Sequence, residues 1–458
     1  METLKIFNTL NSKKEVFIPI DKDHIKIYAC GPTVYNFAHI GNARMAVVFD
    51  TFVRTLRVIY PKVTYVSNIT DIDDKIIDAA KEQNVEISEI TEKYTQIYNE
   101  DMSMLNVLEP DIQPKATEYI PEMIALIEDL IAKEFAYEKD NHVLFHVPAY
   151  SKYGELSNRN REEQIAGSRV EIAPFKKDPS DFVLWKPSDD SQPGWDSPWG
   201  FGRPGWHTEC SAMSEKTLGL PFDIHGGGRD LIFPHHENEI AQSCCSTANI
   251  DEPDSYAKYW MHNGFVTIEG EKMSKSLGNI ILVRDLTNNY HGEAIRLALL
   301  SSHYRQGLDW NEKIIHQAKK LLTKIYQILD ELKDIQEIES ESLNIESITT
   351  LMDDLNTPGL IAELNQIAKE YNTNKNIDKK KIKSKLLFIG SVLGIFEDKA
   401  FNKISDDLKE KVEVLINDRD IAKSQKNFEL ADKIRDELNE LGIEIKDTSD
   451  GTSWNIKS

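Results

Sequence analysis

Cysteine is scarce in this sequence, four in 458 residues. That excludes a disulfide-stapled framework in a chain of this length and suits a reducing compartment where thiols stay free for metal. No apolar run approaches the roughly 20 residues that a membrane-spanning helix needs. The first residues, METLKIFNTLNSKKE, lack an apolar segment followed by a small-residue cleavage site, so secretion is not expected and a cytoplasmic protein is. There is no CxxC pair and no internal repeat. Positive charge is also short. The formal net charge of −22 argues against nucleic-acid binding driven by overall charge. It leaves room for a local basic groove, because fields beyond about 8 Å are screened in the cell.

What is present reads as a globular enzyme. Hydrophobic residues at 40 % and charged residues at 28 % are ordinary for a soluble protein, and the length predicts about two to four domains. The stretch from Ile25 to Met45, IKIYACGPTVYNFAHIGNARM, organises the rest. Alternating Ile25, Ile27 and Ala29 predict a strand. Gly31 and Pro32 break it. Ala46, Val47, Phe49, Phe52 and Val53 then fall at helical core spacing, which predicts a helix from about Phe37 to Leu56. A strand, a turn and a helix make a place where a phosphate meets helix amides. Cys30, His39, Gly41 and Asn42 sit in that turn.

A second stretch, EKMSKSLGN at Glu271 to Asn279, contains KMSKS at Lys272 to Ser276. It resembles the second signature of class I aminoacyl-tRNA synthetases. His39-Ile40-Gly41-Asn42 resembles their first, HIGH, except that Asn42 stands where the pattern has His. An amide still donates a hydrogen bond to a phosphate but carries no charge.

Around these signatures the pattern is mixed. Val63 to Ile69 predicts a second strand and the segment from Asp71 its following helix, a βαβα start that favours a parallel sheet. Residues from about 115 to 195 break the pattern, with helix at Tyr119 to Lys133, a strand at His142 to Val147, and a polar, turn-rich stretch from Asn158 to Ser191. They read as an insertion between two halves of the sheet. The sheet pattern resumes with helix at Gly205 to Leu218, strand at Phe222 to His225, helix at Pro234 to Thr247 and strand at Trp260 to Phe265. From Asn311 to about Phe396 the spacing is helical. The expected architecture is α/β: a Rossmann-like catalytic domain over 1–310 with its insertion, a helical bundle over 311–400, and a small C-terminal unit over 401–458.

Four residues in separate places carry metal-binding side chains: Cys30, Cys210, His235 and Glu239. His235 and Glu239 are four apart and share a helix face. All four side chains are ordinary zinc ligands. Spacing alone leaves open two buried cysteines beside a capped helix, or His236 or Glu237 as competing ligands. HGGGRD at His225 to Asp230 likewise reads as a nucleoside site, with Gly226 and Gly227 admitting the base and Asp230 accepting from ribose hydroxyls, or as a tight turn. Cys244 and Cys245 read as core.

Over nearly its whole length the chain is similar to the cysteinyl-tRNA synthetases. The likeness rests on YACGPTVYNFAHIGNAR, NITDIDDKI, GRPGWHTECSAM, DIHGGGRDLIFPHHENEIAQS, EKMSKSLGN and the terminal ADKIRDELNELGIEIKD with GTSW. The resemblance implies one zinc ion on Cys30, Cys210, His235 and Glu239 that binds the substrate thiol. It implies ATP, with Mg²⁺, at His39, Gly41, Asn42, Gly226, Gly227, Asp230 and Lys275, and catalysis by His39, Asn42, Lys272 and Lys275. It implies L-cysteine and the cysteine tRNA as partners, a monomer, and no membrane. Thr70 and Trp206 are candidate walls of the cysteine pocket; Trp206 also reads as core. Lys423, Lys426, Lys433 and Arg435 make the C-terminal unit a candidate anticodon reader. Trp454 is a candidate stacking ring there, or packs the tail onto a helix. Two rival readings are a small-molecule cysteine ligase on the same catalytic domain and an inactive tRNA-binding paralogue. The terminal unit speaks against the first and the intact candidate residues against the second.

Overall fold

A computed structural model describes residues 3–160, 162–163, 174–189, 192–247, 249–274, 277–338, 341–374, 376–397, 406–440, 443–448 and 451–456. An N-terminal hairpin, β1 (Lys5–Asn8) and β2 (Lys13–Val16), leads into β3 (Ile25–Ala29), α1 (Ile40–Ile59), β4 (Val63–Ser67), α2 (Asp74–Gln83) and α3 (Ile87–Ser103). The insertion follows with α4 (Ile120–Ala132), β5 (Ala136–Lys139), β6 (His142–Phe145), β7 (Phe182–Pro187) and β8 (Gly202–Pro204). Then come α5 (Trp206–Leu218), β9 (Phe222–Gly228), α6 (Glu237–Ser246) and β10 (Ala257–Asn263).

The central sheet has the order β10-β9-β3-β4, with every pair parallel. Strands from the two sides of the insertion therefore meet, β3 against β9. Parallel strands buried on both faces read as continuous apolar runs, and Ile25, Ile27, Tyr28, Ala29, Phe222 and Ile224 are all fully buried. The insertion closes its own antiparallel sheet, β5-β6-β7-β8. That sheet extends to Pro204, beyond residue 195, because Trp185, Lys186 and Pro187 pair with Pro204, Arg203 and Gly202. A run rich in Gly, Pro and Trp hides this strand from composition-based reading.

Two helices start later than periodicity predicts, each at a cap. His39 caps α1: its Nδ1 accepts from the amides of Gly41 and Asn42, while Asn42 Oδ1 accepts from the His39 amide at 3.1 Å. Asp73 caps α2 by accepting from Lys75 N. Such caps satisfy amides that otherwise have no intrahelical partner. The predicted helix from Pro234 begins only at Glu237. Phe233 is extended (φ −139°, ψ 130°) and residues Ile232–His236 form a wider π-helical turn.

Beyond β10, a small sheet orders β12 (Glu271–Lys272), β11 (Val266–Ile268) and β13 (Leu308–Trp310), with α7 (Val283–Thr287) and α8 (Gly292–Leu299) between. Helices α9 (Glu312–Glu331), α10 (Glu341–Met352), α11 (Thr357–Thr373) and α12 (Lys379–Leu393) form the bundle. The C-terminal unit has α13 (Asp406–Ser424), α14 (Phe428–Glu440) and a hairpin of β14 (Ile443–Thr448) and β15 (Gly451–Ile456). It keeps its own apolar cluster of Val412, Ile434, Leu438 and Ile443.

One buried cation joins α1 and the residues after α3 to the end of α12. Arg296 on α8 is fully buried. It donates to the carbonyls of Leu393, Leu105 and Asn106, to Thr51 and to the Asp50 carboxylate. Truncating it leaves several buried carbonyls and part of a buried carboxylate without donors, and breaking a buried pair costs about 3–5 kcal/mol. Arg296→Met should therefore lower stability by that amount in urea titration. A midpoint unchanged from the parent protein would contradict the assignment.

Candidate active site

The carboxyl ends of β3, β9 and β10 open into a cleft of about 480 Å³. Its walls include Cys30 to Ala38 after β3, His39, Gly41 and Asn42 at the start of α1, Trp206, Gly228 and Asp230, Asn263 to Val266, and Lys272 with Met273. Clefts at this end of an open parallel sheet are where ligands bind. His39 is held as a neutral imidazole, because burial lowers its pKa against the weaker pull of Asp230. A Cβ on Gly41 would stand 3.0 Å from the His39 ring, so the first turn of α1 is kept open on that side.

Next to the cleft, which reaches it at Cys30, lies a buried cluster of thiols, imidazoles and a carboxylate. Cys30 ends β3, Cys210 lies on α5, His235 in the π-helical turn, and Glu239 on α6. One ligand atom from each lies within 4.8 Å of all the others. A second set, Cys30, His225, His236 and Glu239, satisfies the same distance. The two share Cys30 and Glu239. Trp206 stacks on the His235 ring at 4.2 Å and borders the cleft, so the set with Cys210 and His235 faces the opening. His236 Nε2 lies 3.3 Å from Cys30 Sγ, while its Nδ1 is within 2.8 Å of His262 Nε2, and His262 Nδ1 meets Thr9 Oγ1 at 2.8 Å.

The electrostatics of the first set fit a cation. A hydrogen bond from Cys30 lowers the Cys210 thiol to about 6, while burial raises Cys30. Burial opposes charge on His235, but Glu239 and Cys210 raise it to about 10. Burial also opposes charge on Glu239, and His225 and His235 hold it well below the usual carboxylate range. The set thus carries a thiolate and a carboxylate against one imidazolium, with Cys30 a neutral thiol, and so keeps an excess negative charge; a bound cation would take that charge and displace the protons on His235 and Cys30. Two ligands at about 2.3 Å from a tetrahedral ion stand about 3.8 Å apart. Cys30 Sγ is 3.7 Å from Cys210 Sγ and 3.7 Å from Glu239 Oε1.

Around this set lie groups that spacing did not single out. His207 Nδ1 is 2.9 Å from His235 Nδ1, and burial lowers His207 to about 3, so it accepts from the charged partner. His225 Nε2 and Tyr256 Oη approach Glu239 Oε2 at 2.7 and 2.8 Å. Asn68 Oδ1 accepts from Gly31 N at 2.9 Å and fixes the turn after Cys30. The one sequence signal for this shell is the density of histidine in GWHTEC, DIHGGG, FPHHEN and WMHN.

Several candidates sit elsewhere than predicted. Gly226 and Gly227 are inside β9, away from the cleft wall. A Cβ on Gly226 would come within 2.1 Å of the Phe49 ring, and one on Gly227 within 3.0 Å of the His236 ring. Their small size serves helix–sheet packing, and of the segment it is Gly228 and Asp230 that border the cleft. Thr70 lies behind the wall, buried, its hydroxyl donating to Glu209 Oε2 at 3.1 Å. Lys272 lines the cleft, with its Nζ 5.6 Å from the Phe265 ring centroid. Lys275 lies outside the described residues. Trp454 is half-buried and packs against the cluster of α13 and α14, so it is not a free stacking ring. Lys423 is paired with Asp447 at 2.7 Å. Phe428, 64 % exposed, is an aromatic that the unit does present. Cys244 and Cys245 are fully buried in the core, as expected.

Comparison with known proteins gives concordant matches. Residues 16–320 match the tRNA synthetases class I (C) catalytic domain, 348–397 the DALR domain, and 405–454 the cysteinyl-tRNA ligase anticodon binding domain. The cysteine–tRNA ligase of Parvibaculum lavamentivorans is 53 % identical over 99 % of this chain and 98 % of its own length. That of Rhodospirillum rubrum is 51 % identical over 99 % of each. Among solved structures, Mycobacterium tuberculosis methionyl-tRNA synthetase with methionyl-adenylate aligns at a TM-score of 0.58, 14 % identity, over 81 % of this chain and 89 % of that one. A ternary LeuRS–tRNA–LeuAMS complex from Agrobacterium radiobacter aligns at 0.60, 11 % identity, over 82 % and 84 %. These two likenesses concern the fold.

Proposed function

The chain belongs to the cysteinyl-tRNA synthetase family of class I, and from that premise we propose that it activates L-cysteine with ATP and transfers it to the 3′ end of the cysteine tRNA. The observation that carries the reading is the buried Cys30, Cys210, His235, Glu239 set, which meets at Cys30 a cleft bounded by both signature segments. Zinc is the metal that suits two sulfurs, an imidazole and a carboxylate. When bound, it offers the substrate thiol a coordination position that a neutral hydroxyl fills poorly.

The chain's own residues position and neutralise. The cysteine carboxylate attacks the α-phosphorus of ATP, and the bond to the β-phosphate breaks to release pyrophosphate with its Mg²⁺. No protein nucleophile is required, so catalysis rests on placement and charge. His39, neutral and held by its cap, presents its ring at the phosphate end. Asn42 Oδ1 is taken by the His39 amide, which leaves the Asn42 amino group as a phosphate donor. A neutral amide thus serves both as cap and as ligand where the HIGH pattern has a second His. Lys272 and Lys275 neutralise the leaving pyrophosphate. Asp230 accepts from ribose hydroxyls, and Trp206 closes the cysteine pocket over His235.

The same reading assigns 1–310 to catalysis, 311–400 to a helical bundle and 401–458 to the anticodon. It makes the inserted sheet structural or tRNA-facing, and the protein a cytoplasmic monomer that needs no membrane. An anticodon unit has no purpose in a small-molecule ligase, which disfavours that rival.

The test is amino-acid-dependent pyrophosphate exchange. Shape alone rejects a near-isostere by only about 10²-fold, while translation needs about 10⁴ to 10⁵. Cysteine should support exchange and serine should be slower by at least about 10⁴-fold, with no hydrolysis of preformed Ser-tRNA. Exchange with serine within a hundredfold of cysteine, or rapid Ser-tRNA hydrolysis, would contradict thiol selection without editing.

A further inference from the structure

Glu239 is fully buried, and its two carboxylate oxygens have different neighbours. Oε1 belongs to the metal set: it lies 2.9 Å from His235 Nε2 and 3.7 Å from Cys30 Sγ. Oε2 is taken by two other groups, His225 Nε2 at 2.7 Å and Tyr256 Oη at 2.8 Å. An ionised carboxylate only accepts, so both of these partners donate to it. Tyr256 has a single hydroxyl proton. With that proton given to Glu239, the phenol oxygen accepts in turn from Ser214 Oγ, 2.9 Å away.

The hydroxyl is fixed by rigid parts of the fold. Tyr256 is fully buried and stands immediately before β10. Its carbonyl accepts from Phe222 N at 3.2 Å, where β10 begins to pair with β9. Its ring packs edge-on against Phe222, centroids 5.3 Å apart, and lies 5.8 Å from Trp260. Ser214 is on α5, one turn after Cys210. Glu239 is thus gripped from β9, from the entry to β10 and, through Tyr256, from α5.

A carboxylate binds a cation through one oxygen or through both. With Oε2 occupied by two donors, Glu239 offers only Oε1. A carboxylate that stays on one oxygen leaves room at the ion for the substrate thiol, as an open catalytic site requires. We infer that Tyr256 is a positioning residue of the metal site, its Ser214-held hydroxyl pinning Glu239 Oε2 so that Oε1 alone meets the ion. The inference rests on the reading of Cys30, Cys210, His235 and Glu239 as a zinc site. Partners that orient a metal ligand in this way typically change affinity by about 10- to 100-fold when removed.

Zinc affinity would be measured by competition with a chromophoric chelator on the parent protein, Tyr256→Phe and Ser214→Ala, and urea unfolding of each would be followed without metal. Tyr256→Phe keeps the ring and should weaken zinc by about tenfold or more. Ser214→Ala leaves the phenol in place but unheld, and should weaken zinc by a smaller factor, about twofold to tenfold. A purely structural role would lower the urea midpoint of the metal-free protein and leave zinc affinity alone. Zinc affinity in folded Tyr256→Phe equal to the parent's would overturn the inference. Should Tyr256→Phe not fold, Ser214→Ala decides in the same way: parental zinc affinity in that variant overturns it. A parent protein that binds no zinc would remove the zinc-site reading and this inference with it.

Discussion

Cys210→Ser protein should retain well under a tenth of the zinc held by the parent and should fail to activate cysteine. Cys210 is buried, 3.7 Å from Cys30, and its thiol is lowered to about 6. A serine hydroxyl there stays protonated and is a poor ligand for a borderline-soft cation. Structural zinc sites with four ligands bind with about 10–16 kcal/mol. One ligand thus contributes roughly a quarter, near 3 kcal/mol, which is about 10²-fold in affinity. The parent should hold one zinc per chain by elemental analysis. His235→Ala should behave alike, while His236→Ala should keep the metal, because His236 belongs to the alternative set. Full zinc in Cys210→Ser with loss in His236→Ala would move the site to Cys30, His225, His236 and Glu239.

Removing residues 402–458 should separate the two half-reactions. The cleft and both signature segments lie upstream, so cysteine-dependent pyrophosphate exchange should stay within about twofold of the parent. Transfer to tRNA should fall. Stacking contributes about 1–3 kcal/mol per base, so losing contact with an anticodon of three bases should lower kcat/KM for tRNA by more than about 10²-fold, mostly through KM. Each lost phosphate contact should also remove roughly 0.7 to 0.9 from the slope of log K against log salt. The unit's own apolar cluster of Val412, Ile434, Leu438 and Ile443 favours a clean excision. The aromatic to examine within the intact unit is Phe428, since Trp454 is committed to packing. Unchanged KM for tRNA in the truncated protein would show that this unit does not read the anticodon.

The individual residues differ in how far they were legible beforehand. His39 and Asn42 were visible through their signature, yet their mutual cap was not, because capping depends on backbone angles at the helix entry. The strand at Gly202 to Pro204 was hidden, since Gly and Pro are poor strand formers by composition and only pairing with β7 makes a strand of them. Gly226 and Gly227 suit a nucleotide by composition because glycine signals close approach without saying of what. The approaching groups are the Phe49 and His236 rings.

By itself the sequence determined the local grammar of this protein. It set the alternation that makes β3, the helical periodicity of α1, the i, i+4 pairing of His235 with Glu239, and the two signature segments. These depend on neighbours within a turn or two, where covalent geometry dictates which side chains share a face. Tertiary structure decided which distant residues share a space. Cys30 and Cys210 are separated by 180 positions and meet because β3 and β9 pair across the insertion. Arg44 on α1 reaches the carbonyls of Gly264, Phe265, His303 and Gln306, 220 to 262 positions away. Such meetings follow from the closing of the parallel sheet and the burial of its faces, and no local pattern encodes them.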